Sequence, residues 1–177
     1  MSTNQTLETI FSRMSYRGAF KDTPVPREDL VTILKAGIAA PSGCNKQTTS
    51  FVAVDDEIVL NELKEIFSKP SCQSAPAWIL VFTQEIVGVD GNYYHVQDYG
   101  AAMENMLLAI KSLGYETCWY EGNVRNCAEE IAEFVKAPEG CRLVCVLPVG
   151  IPSDELPPRK IKKAFEERAW FNKYGAK

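Results

Sequence analysis

Residues Asp98–Gly122 read DYGAAMENMLLAIKSLGYETCWYEG, and this stretch decides the fold. Apolar residues recur in it at helical spacing, which predicts a helix with one continuous apolar face. That face comprises Tyr99, Ala102, Met103, Met106, Leu107, Ile110 and Leu113. A second apolar set widens the sector enough for a helix that is buried on most sides: Ala101, Leu108 and Ala109. We expect Asp98 to be the N-cap and Gly114 to follow the last helical turn.

The same kind of pattern predicts further elements on both sides of this helix. Helices are expected at Leu7–Met14, at Pro26–Ile38 and at Ile58–Phe67, the last with Ile58, Leu63, Ile66 and Phe67 on its buried side. Strands are expected at Thr49–Val54, Trp78–Phe82, Thr117–Tyr120 and Leu143–Val149. Helices that interleave with about four strands indicate a layered fold of the α/β or α+β class. A length of 177 residues suits a single domain, residues 1–177.

The connecting segments carry expectations of their own. Lys69–Pro76 is expected to be a linker, and Asn126 with Glu129 to form the capping box of a following helix. Gln84–Gln97 is polar and contains glycine, so it is either a lid or a surface loop. The tail Lys160–Tyr174 fits either a helix or an extended arm.

Composition excludes several classes of protein. The net charge of −4 argues against a nucleic-acid-binding protein, and no apolar run is long enough to cross a membrane. We expect no signal peptide, because the first residues lack a charged leader followed by an apolar core. Six cysteines without a CxxC pair, and a single histidine, argue for free thiols and against a zinc site. We therefore expect a cytoplasmic protein without a bound metal.

The usual catalytic and nucleotide-binding motifs are missing from the sequence. It has neither G-x-G-x-x-G nor G-x-x-x-x-G-K-[ST], and His95 has no nucleophile and acid to complete a triad. Two clusters with alternating spacing could hold a phosphate, because extended backbone would present their members to one side. They are Arg13, Ser15 and Arg17 near the amino end, and Lys160 and Lys162 near the carboxyl end. Each cluster alone is equally compatible with a solvated surface.

Several motifs together give a family resemblance. The pattern D-x-G-A-A-x-E-N-x-L-L-A-x-x-x-L-G-x-x-T-C-W, which begins at Asp98, resembles the central helix of the FMN-dependent nitroreductase family. Tyr120-Glu121-Gly122 is similar to the family's hydrophobic–Glu–Gly loop, and Ala40–Gln47 resembles its A-P-S-G-x-N-x-Q-P-W loop. The cationic clusters resemble an early R-x-S-x-[R/K] motif and a late [K/R]-x-[R/K] motif. We expect a small, single-domain member of this family.

The resemblance implies which residues bind FMN. They are Arg13, Met14, Ser15, Arg17, Pro41, Ser42, Gly43, Asn45, Gln47, Glu121, Gly122, Lys160 and Lys162. It assigns the phosphate to Arg13, Ser15, Lys160 and Lys162, the N1/O2 edge of the ring to Arg17, and flavin N5 to a backbone N–H at Glu121-Gly122. It places Pro41–Gln47 against the FMN of the other subunit.

Two positions depart from the family pattern or leave a choice open. Thr48-Thr49 stands where the family usually has Pro-Trp, which puts substrate specificity in doubt more than cofactor binding. The residue that contacts the far edge of the pyrimidine is either Lys69 or Gln73.

The implied fold is a three-layer α/β/α sandwich of the α+β class, with a mostly antiparallel sheet. The implied assembly is an intertwined homodimer with tightly bound FMN at the subunit interface. Electrons would pass from NAD(P)H through FMN to nitroaromatics, quinones or conjugated carbonyls by a ping-pong mechanism, with no catalytic side chain. The alternatives are a flavin-binding sensor or carrier without significant turnover, and a thiol redox protein acting through Cys44.

Overall fold

The structure is a computed structural model that describes residues 4–176. Its helices are α1 (Gln5–Ser12), α2 (Arg27–Ile38), α3 (Glu57–Ile66), α4 (Pro70–Ser74), α5 (His95–Ser112) and α6 (Ala128–Phe134). Its strands are β1 (Thr49–Val54), β2 (Ala77–Thr83), β3 (Glu116–Thr117) and β4 (Arg142–Gly150). Short 3-10 turns lie at Gly43–Asn45, Val124–Asn126 and Phe165–Glu167.

An antiparallel sheet with the strand order β1-β2-β4-β3 forms the centre of the fold. Side chains alternate along the buried strand β2, so that Ile79 and Val81 face one layer while Trp78 and Leu80 face the other. α2 and α5 cover the first face of the sheet, and α3 and α6 cover the second. This arrangement confirms the predicted α+β class and its three layers.

α5 is the most deeply buried helix of its layer. Six of its predicted core positions are buried, whereas Leu113, at the C-cap, is 37% exposed. Gly114 follows with φ = +88°, and its N–H donates to the Lys111 carbonyl at 3.1 Å. The Tyr115 N–H donates to the Ile110 carbonyl at 3.0 Å. These two bonds form a Schellman motif, which confirms the predicted role of Gly114.

The predicted starts of α5 at Asp98 and of α6 at Asn126 are both wrong. α5 begins at His95, so Asp98 lies inside its first turn and is 4% exposed. Asp98 is not an N-cap because its carboxylate is used by a distant loop instead. α6 begins only at Ala128, since Asn126 belongs to the preceding 3-10 turn, and Cys127 occupies the N-cap without a side-chain hydrogen bond to the helix N–H groups.

Two predictions in the region of α3 and α4 also need correction. Lys69–Pro76 is not a plain linker, because Pro70 opens the short helix α4; proline is favoured there since the first helical N–H needs no partner. Ile58 is 72% exposed, and Leu60 takes its expected place on the buried side of α3.

The strand after α5 is shorter than predicted. Regular pairing with β4 includes only Glu116 and Thr117, and a single bridge joins Tyr120 to Val146 further along. The carboxyl-terminal tail is largely exposed and irregular apart from its 3-10 turn. Among residues 4–176, no helix is both long and apolar enough to cross a membrane.

Replacing Gly114 tests the left-handed end of α5. Gly114→Ala is expected to lower the free energy of unfolding by about 1 kcal/mol, because a Cβ disfavours positive φ. Gly114→Asn keeps a side chain but tolerates the left-handed region, so its loss should be clearly smaller. Urea denaturation of the three proteins measures both changes. Equal losses for Ala and Asn would contradict the conformational explanation.

Candidate functional site

The segment after α1 runs alongside β3 in extended form. The Tyr16 N–H donates to the Thr117 carbonyl at 2.8 Å, and the Tyr16 ring is buried. Ser15 and Arg17, on either side of Tyr16, are exposed. This alternation is the one that the sequence predicted, and it leaves a hydroxyl and a guanidinium facing outward together.

Arg13 lies at the start of this segment, against the middle of α5. Its Nε atom is 3.4 Å from Oε1 of Glu104 and is buried, but the contact lacks hydrogen-bond geometry. A buried guanidinium donor without an acceptor is unusual in a folded protein. The Arg13 side chain as a whole is 24% exposed, so the guanidinium is positioned by Glu104 and still reaches the surface.

The carboxyl-terminal cationic cluster meets the same region. The Arg159 guanidinium donates to the carbonyl of Phe11, at the end of α1. Lys160 and Lys162 follow Arg159 in the sequence, and both are exposed. The contact of Arg159 therefore joins the carboxyl-terminal segment to the end of α1, two residues before Arg13.

Arg17 faces the chain that follows β3. Burial raises the pKa of the Cys118 thiol, and the positive charge of Arg17 opposes that rise. Burial likewise raises the pKa of Tyr120, again against the charge of Arg17. The guanidinium is therefore electrostatically close to the residues that lead into Glu121-Gly122.

Two side chains hold the Glu121 carboxylate. The Tyr99 hydroxyl of α5 donates to Oε1 at 3.1 Å, and Nε1 of Trp119 donates to Oε2 at 3.0 Å. Gly122 comes next and is exposed, and a Cβ added there would meet no atom within 4 Å. The backbone at Gly122 is thus held in place on one side and open to a flat ligand on the other.

The loop Pro41–Gln47 has a strained backbone. Cys44, Asn45 and Gln47 have φ of 50°, 53° and 50°, values that non-glycine residues adopt only at a cost of about 1–3 kcal/mol each. Such strain persists where surrounding contacts fix the chain, and it is common at ligand-binding sites.

Three hydrogen bonds to or from side chains fix this loop, in addition to the backbone bonds of its 3-10 turn. The Gly43 N–H donates to Oδ1 of Asp98 at 2.7 Å, and the Thr48 hydroxyl donates to Oδ2 of the same carboxylate at 2.8 Å. Within the loop, the Gln47 N–H donates to Oγ of Ser42 at 3.0 Å. One residue of α5 therefore holds both ends of the strained segment.

The segment Gln84–Gln97 contains a hydrogen-bonded turn that packs against the Pro41–Gln47 loop. Gly88 N–H donates to the Asn92 carbonyl at 2.7 Å, and the Tyr94 hydroxyl donates to Asp90. Donors from Tyr94 and Asn92 lower the pKa of Asp90 to about 2. The Tyr94 ring lies against Gly43, where an added Cβ would come within 2.3 Å of it. This turn is an ordered neighbour of the Pro41–Gln47 loop.

Glu121 and the Pro41–Gln47 loop line different clefts. Glu121 lines a cleft of about 870 Å³ with Tyr99, Arg125 and Arg142. Pro41, Ser42 and Gln47 line a smaller cleft of about 170 Å³ beside α2. Within one chain, the segment that carries Arg13, Ser15 and Arg17 runs beside β3, which leads toward Glu121-Gly122, whereas the Pro41–Gln47 loop lines its own cleft beside α2.

Sequence reasoning missed three residues of the candidate site. Asp98 was expected to cap α5, Tyr99 was expected only to fill the core, and Trp119 was expected only as part of the strand Thr117–Tyr120. An acidic residue beside apolar core positions was the available signal for Asp98, since carboxylates are seldom buried without partners. The link from Tyr99 to Glu121 spans a helix and a strand, so sequence spacing gave no sign of it.

The cysteines differ sharply in exposure. Cys72, Cys118 and Cys145 are buried, and burial raises the pKa of Cys72 to about 12. Burial also raises the pKa of Cys145 well above its usual range. Cys44 is exposed on the strained loop. The thiolate, which is the reactive form, is therefore suppressed at the buried positions.

Thiol labelling tests this distribution. At pH 8, Ellman's reagent should modify Cys44 rapidly in the native protein and Cys72, Cys118 and Cys145 only on unfolding. Cys44→Ser should abolish the fast phase, whereas Cys72→Ser should leave it intact. A fast phase that survives Cys44→Ser would contradict the assigned exposure.

Comparison with known proteins identifies the fold and the motifs. The profile of the Nitroreductase family matches residues 10–70 and 64–151. An Archaeoglobus fulgidus protein provisionally named NADH dehydrogenase/NAD(P)H nitroreductase is 33% identical over 153 residues, which cover 84% of this chain and 86% of that protein. The FMN reductase (NADPH) of Bacillus subtilis is 25% identical over 169 residues, 85% of this chain and 67% of its own.

A solved structure agrees with this result. The Bacteroides thetaiotaomicron protein of the same provisional name as the archaeal one superposes with a TM-score of 0.82 at 27% identity. The match covers 98% of this chain and all of that one. On the family profile, the related sequences and the shared fold, the chain belongs to the nitroreductase family.

Proposed function

We propose that this chain is an FMN-dependent NAD(P)H oxidoreductase that reduces electron-poor acceptors. Family membership supports a flavin-dependent oxidoreductase that uses a nicotinamide donor, and the FMN reductase among its relatives supports FMN as the flavin. The observation that carries the proposal is the strip from Arg13 to Gly122. The side chains of Arg13, Ser15 and Arg17 reach the surface along this strip, and the backbone at Gly122 is open to a flat ring.

The phosphate of FMN fits the Arg13 end of this strip. Arg13 has a partly exposed side chain, Ser15 offers an exposed hydroxyl, and Lys160 and Lys162 follow Arg159, whose guanidinium contacts the end of α1. Guanidinium, ammonium and hydroxyl groups together match a dianionic phosphate in charge and in hydrogen-bonding capacity. Met14 lies between the first two residues and contributes backbone to the same segment.

The ring of FMN fits the other end. Arg17 would place positive charge at the N1/O2 edge, and the N–H of Gly122 would donate to N5. For the far edge of the pyrimidine we favour Lys69 over Gln73, because the Gln73 amide already donates to the Lys64 carbonyl at 2.9 Å. The Lys69 ammonium stays close enough to oppose the burial-driven rise in the pKa of Cys72.

The chain itself supplies binding and orientation rather than acid–base chemistry. When bound, FMN supplies two-electron transfer from the nicotinamide donor to the acceptor. Glu121 is a poor candidate for a general base, because both of its oxygens already accept hydrogen bonds from neighbouring side chains. Its expected role is to hold Gly122 in position. Nitroaromatics, quinones and conjugated carbonyls are the proposed acceptors.

A homodimer completes the proposed site. Large apolar side chains are exposed on α1, on α2 and along the tail, including Phe11, Ile38, Ile161 and Phe171. Exposed apolar surface of this extent is typical of protein interfaces. Ile38 lies close to the Pro41–Gln47 loop in sequence, so burial of this surface would carry the loop toward a partner. The loop of one chain would then contact the FMN that is bound along the strip from Arg13 to Gly122 of the partner.

Cofactor content and steady-state kinetics test the enzyme assignment. The purified protein should be yellow and release FMN on denaturation, and double-reciprocal plots for donor and acceptor should be parallel. Arg13→Ala should raise the dissociation constant of FMN about tenfold or more, the effect of losing one hydrogen bond to a charged group. Arg27→Ala, which removes a surface arginine paired with Asp55, is the matched control and should leave FMN binding unchanged.

Other outcomes would decide against the enzyme. Intersecting lines would exclude the ping-pong scheme. Bound FMN with no turnover above that of free FMN would favour the sensor or carrier instead. A colourless protein that does not bind added FMN would overturn the proposal altogether. Cys44→Ser should keep full flavin reduction, and loss of activity in this variant would restore the thiol alternative.

A mixed dimer tests whether two chains build each site. In a dimer of one Arg13→Ala chain and one Asn45→Ala chain, one site pairs the two unmodified motifs and the other pairs both altered ones. FMN titration should therefore show one site of near-normal affinity and one very weak site. Two equally weakened sites would mean that both motifs act within one chain, and the interface placement would be wrong.

A further inference from the structure

We propose that Asp98 is a positioning residue for FMN, which acts by holding the Pro41–Gln47 loop through Gly43 and Thr48. The inference rests on the proposed function, since it assumes that this loop contacts FMN. It goes further by assigning a role to two residues, Asp98 and Thr48, that lie behind the loop and do not form its exposed surface.

The two hydrogen bonds to Asp98 bracket the strained residues. Gly43 immediately precedes the first left-handed residue of the loop, Cys44, and Thr48 immediately follows the last one, Gln47. A carboxylate has two oxygens, and here each accepts from one end of the segment. The distance between the two ends is thereby set by the width of a single rigid group.

Both attachment points are themselves immobilised. Asp98 lies in the first turn of α5, and Asp98 and Thr48 are both almost completely buried. The Thr48 carbonyl also accepts from the Gln84 N–H at 3.0 Å and from the Thr83 hydroxyl at 3.4 Å. Thr48 is therefore tied to the end of β2 as well as to α5. The residues between these attachments have little freedom to relax to a less strained backbone.

Thr48 is also one of the two positions at which this chain departs from the motif it resembles. Proline, which stands there in that motif, stiffens a loop by fixing its own φ angle. Threonine has no such restriction, but its hydroxyl supplies a contact that proline lacks. The hydrogen bond to Asp98 therefore restores, by a side-chain contact, the rigidity that a ring would provide.

A loop held in its binding conformation loses less entropy when the ligand arrives. Weakening the attachment at Thr48 or Asp98 should therefore lower FMN affinity without removing a group that touches FMN. The effect should depend on the hydrogen bond rather than on side-chain volume. This dependence distinguishes a positioning role from a general contribution to stability.

Titration of FMN into four variants of the apoprotein tests the inference. Thr48→Val, which keeps the shape and removes the hydroxyl, should raise the dissociation constant about tenfold, the size expected for one hydrogen bond. Thr48→Ser restores a hydroxyl and should bind FMN almost as the wild type does. Asp98→Ala loses both contacts and should be weakest. Asp98→Asn keeps one acceptor and one possible donor, so it should lie between Asp98→Ala and the wild type.

Tyr115→Phe is the matched control. It removes another hydroxyl contact, the 2.7 Å bond that Tyr115 donates to Oδ2 of Asp29, at the opposite end of α5. The midpoint of thermal unfolding of the Tyr115→Phe apoprotein should fall, as it should for Thr48→Val. The FMN affinity of Tyr115→Phe should not change. Fluorescence quenching gives the dissociation constants, and calorimetry of the apoproteins gives the midpoints.

The results separate the inference from the proposed function. A wild-type protein that binds no FMN would overturn both. If the wild type binds FMN and Thr48→Val binds it equally well, the positioning role is wrong while the proposed function stands. Equal weakening in Tyr115→Phe would also overturn it, because loss of stability would then explain the effect. Should Asp98→Ala fail to fold, the Val and Ser variants of Thr48 decide alone.

Discussion

Burial of α5 is the constraint on which the rest of the structure depends. Its apolar face covers the sheet, and a helix with so wide an apolar sector has few surface positions left for polar groups. The polar groups that it does carry are therefore used for contacts rather than for solvation. Asp98 holds the Pro41–Gln47 loop, Tyr99 holds Glu121, and Glu104 faces Arg13. The same rigid helix thus fixes the positions of the Pro41–Gln47 loop, Glu121 and Arg13.

Because α5 positions all of these segments, the site residues need not be close in sequence. Asp98 and Tyr99 are neighbours, yet they project from different sides of the helix and reach segments that line separate clefts. On the proposed function, each of these segments would form half of an FMN site. Two copies related by symmetry could complete both sites at once, with the exposed apolar side chains of α1 and α2 buried between them.

The fold was predictable because its signals are local and repeated. The apolar spacing in α5 and the continuous apolar run of β2 need no knowledge of the tertiary structure, and the glycine after α5 marks its end by its own geometry. The error at Asp98 arose because this polar residue had two possible partners. Asp98 could cap a helix or bind a distant loop, and local spacing cannot rank those choices. The candidate site was predictable only through resemblance, since the contacts of Tyr99 and Thr48 are long-range.

The Asp98 carboxylate also shows what the buried polar contacts contribute. Burying a carboxylate costs free energy, and here neutral donors, a backbone N–H and a hydroxyl, offset that cost. An apolar residue in place of Asp98 would leave the Gly43 N–H and the Thr48 hydroxyl without their acceptor, which costs free energy. The carboxylate is therefore needed by the loop that it holds, and not by the apolar packing of α5. An apolar contact would tolerate several loop conformations, whereas two hydrogen bonds to one rigid group fix a single one. The carboxylate accordingly secures the geometry of a strained loop.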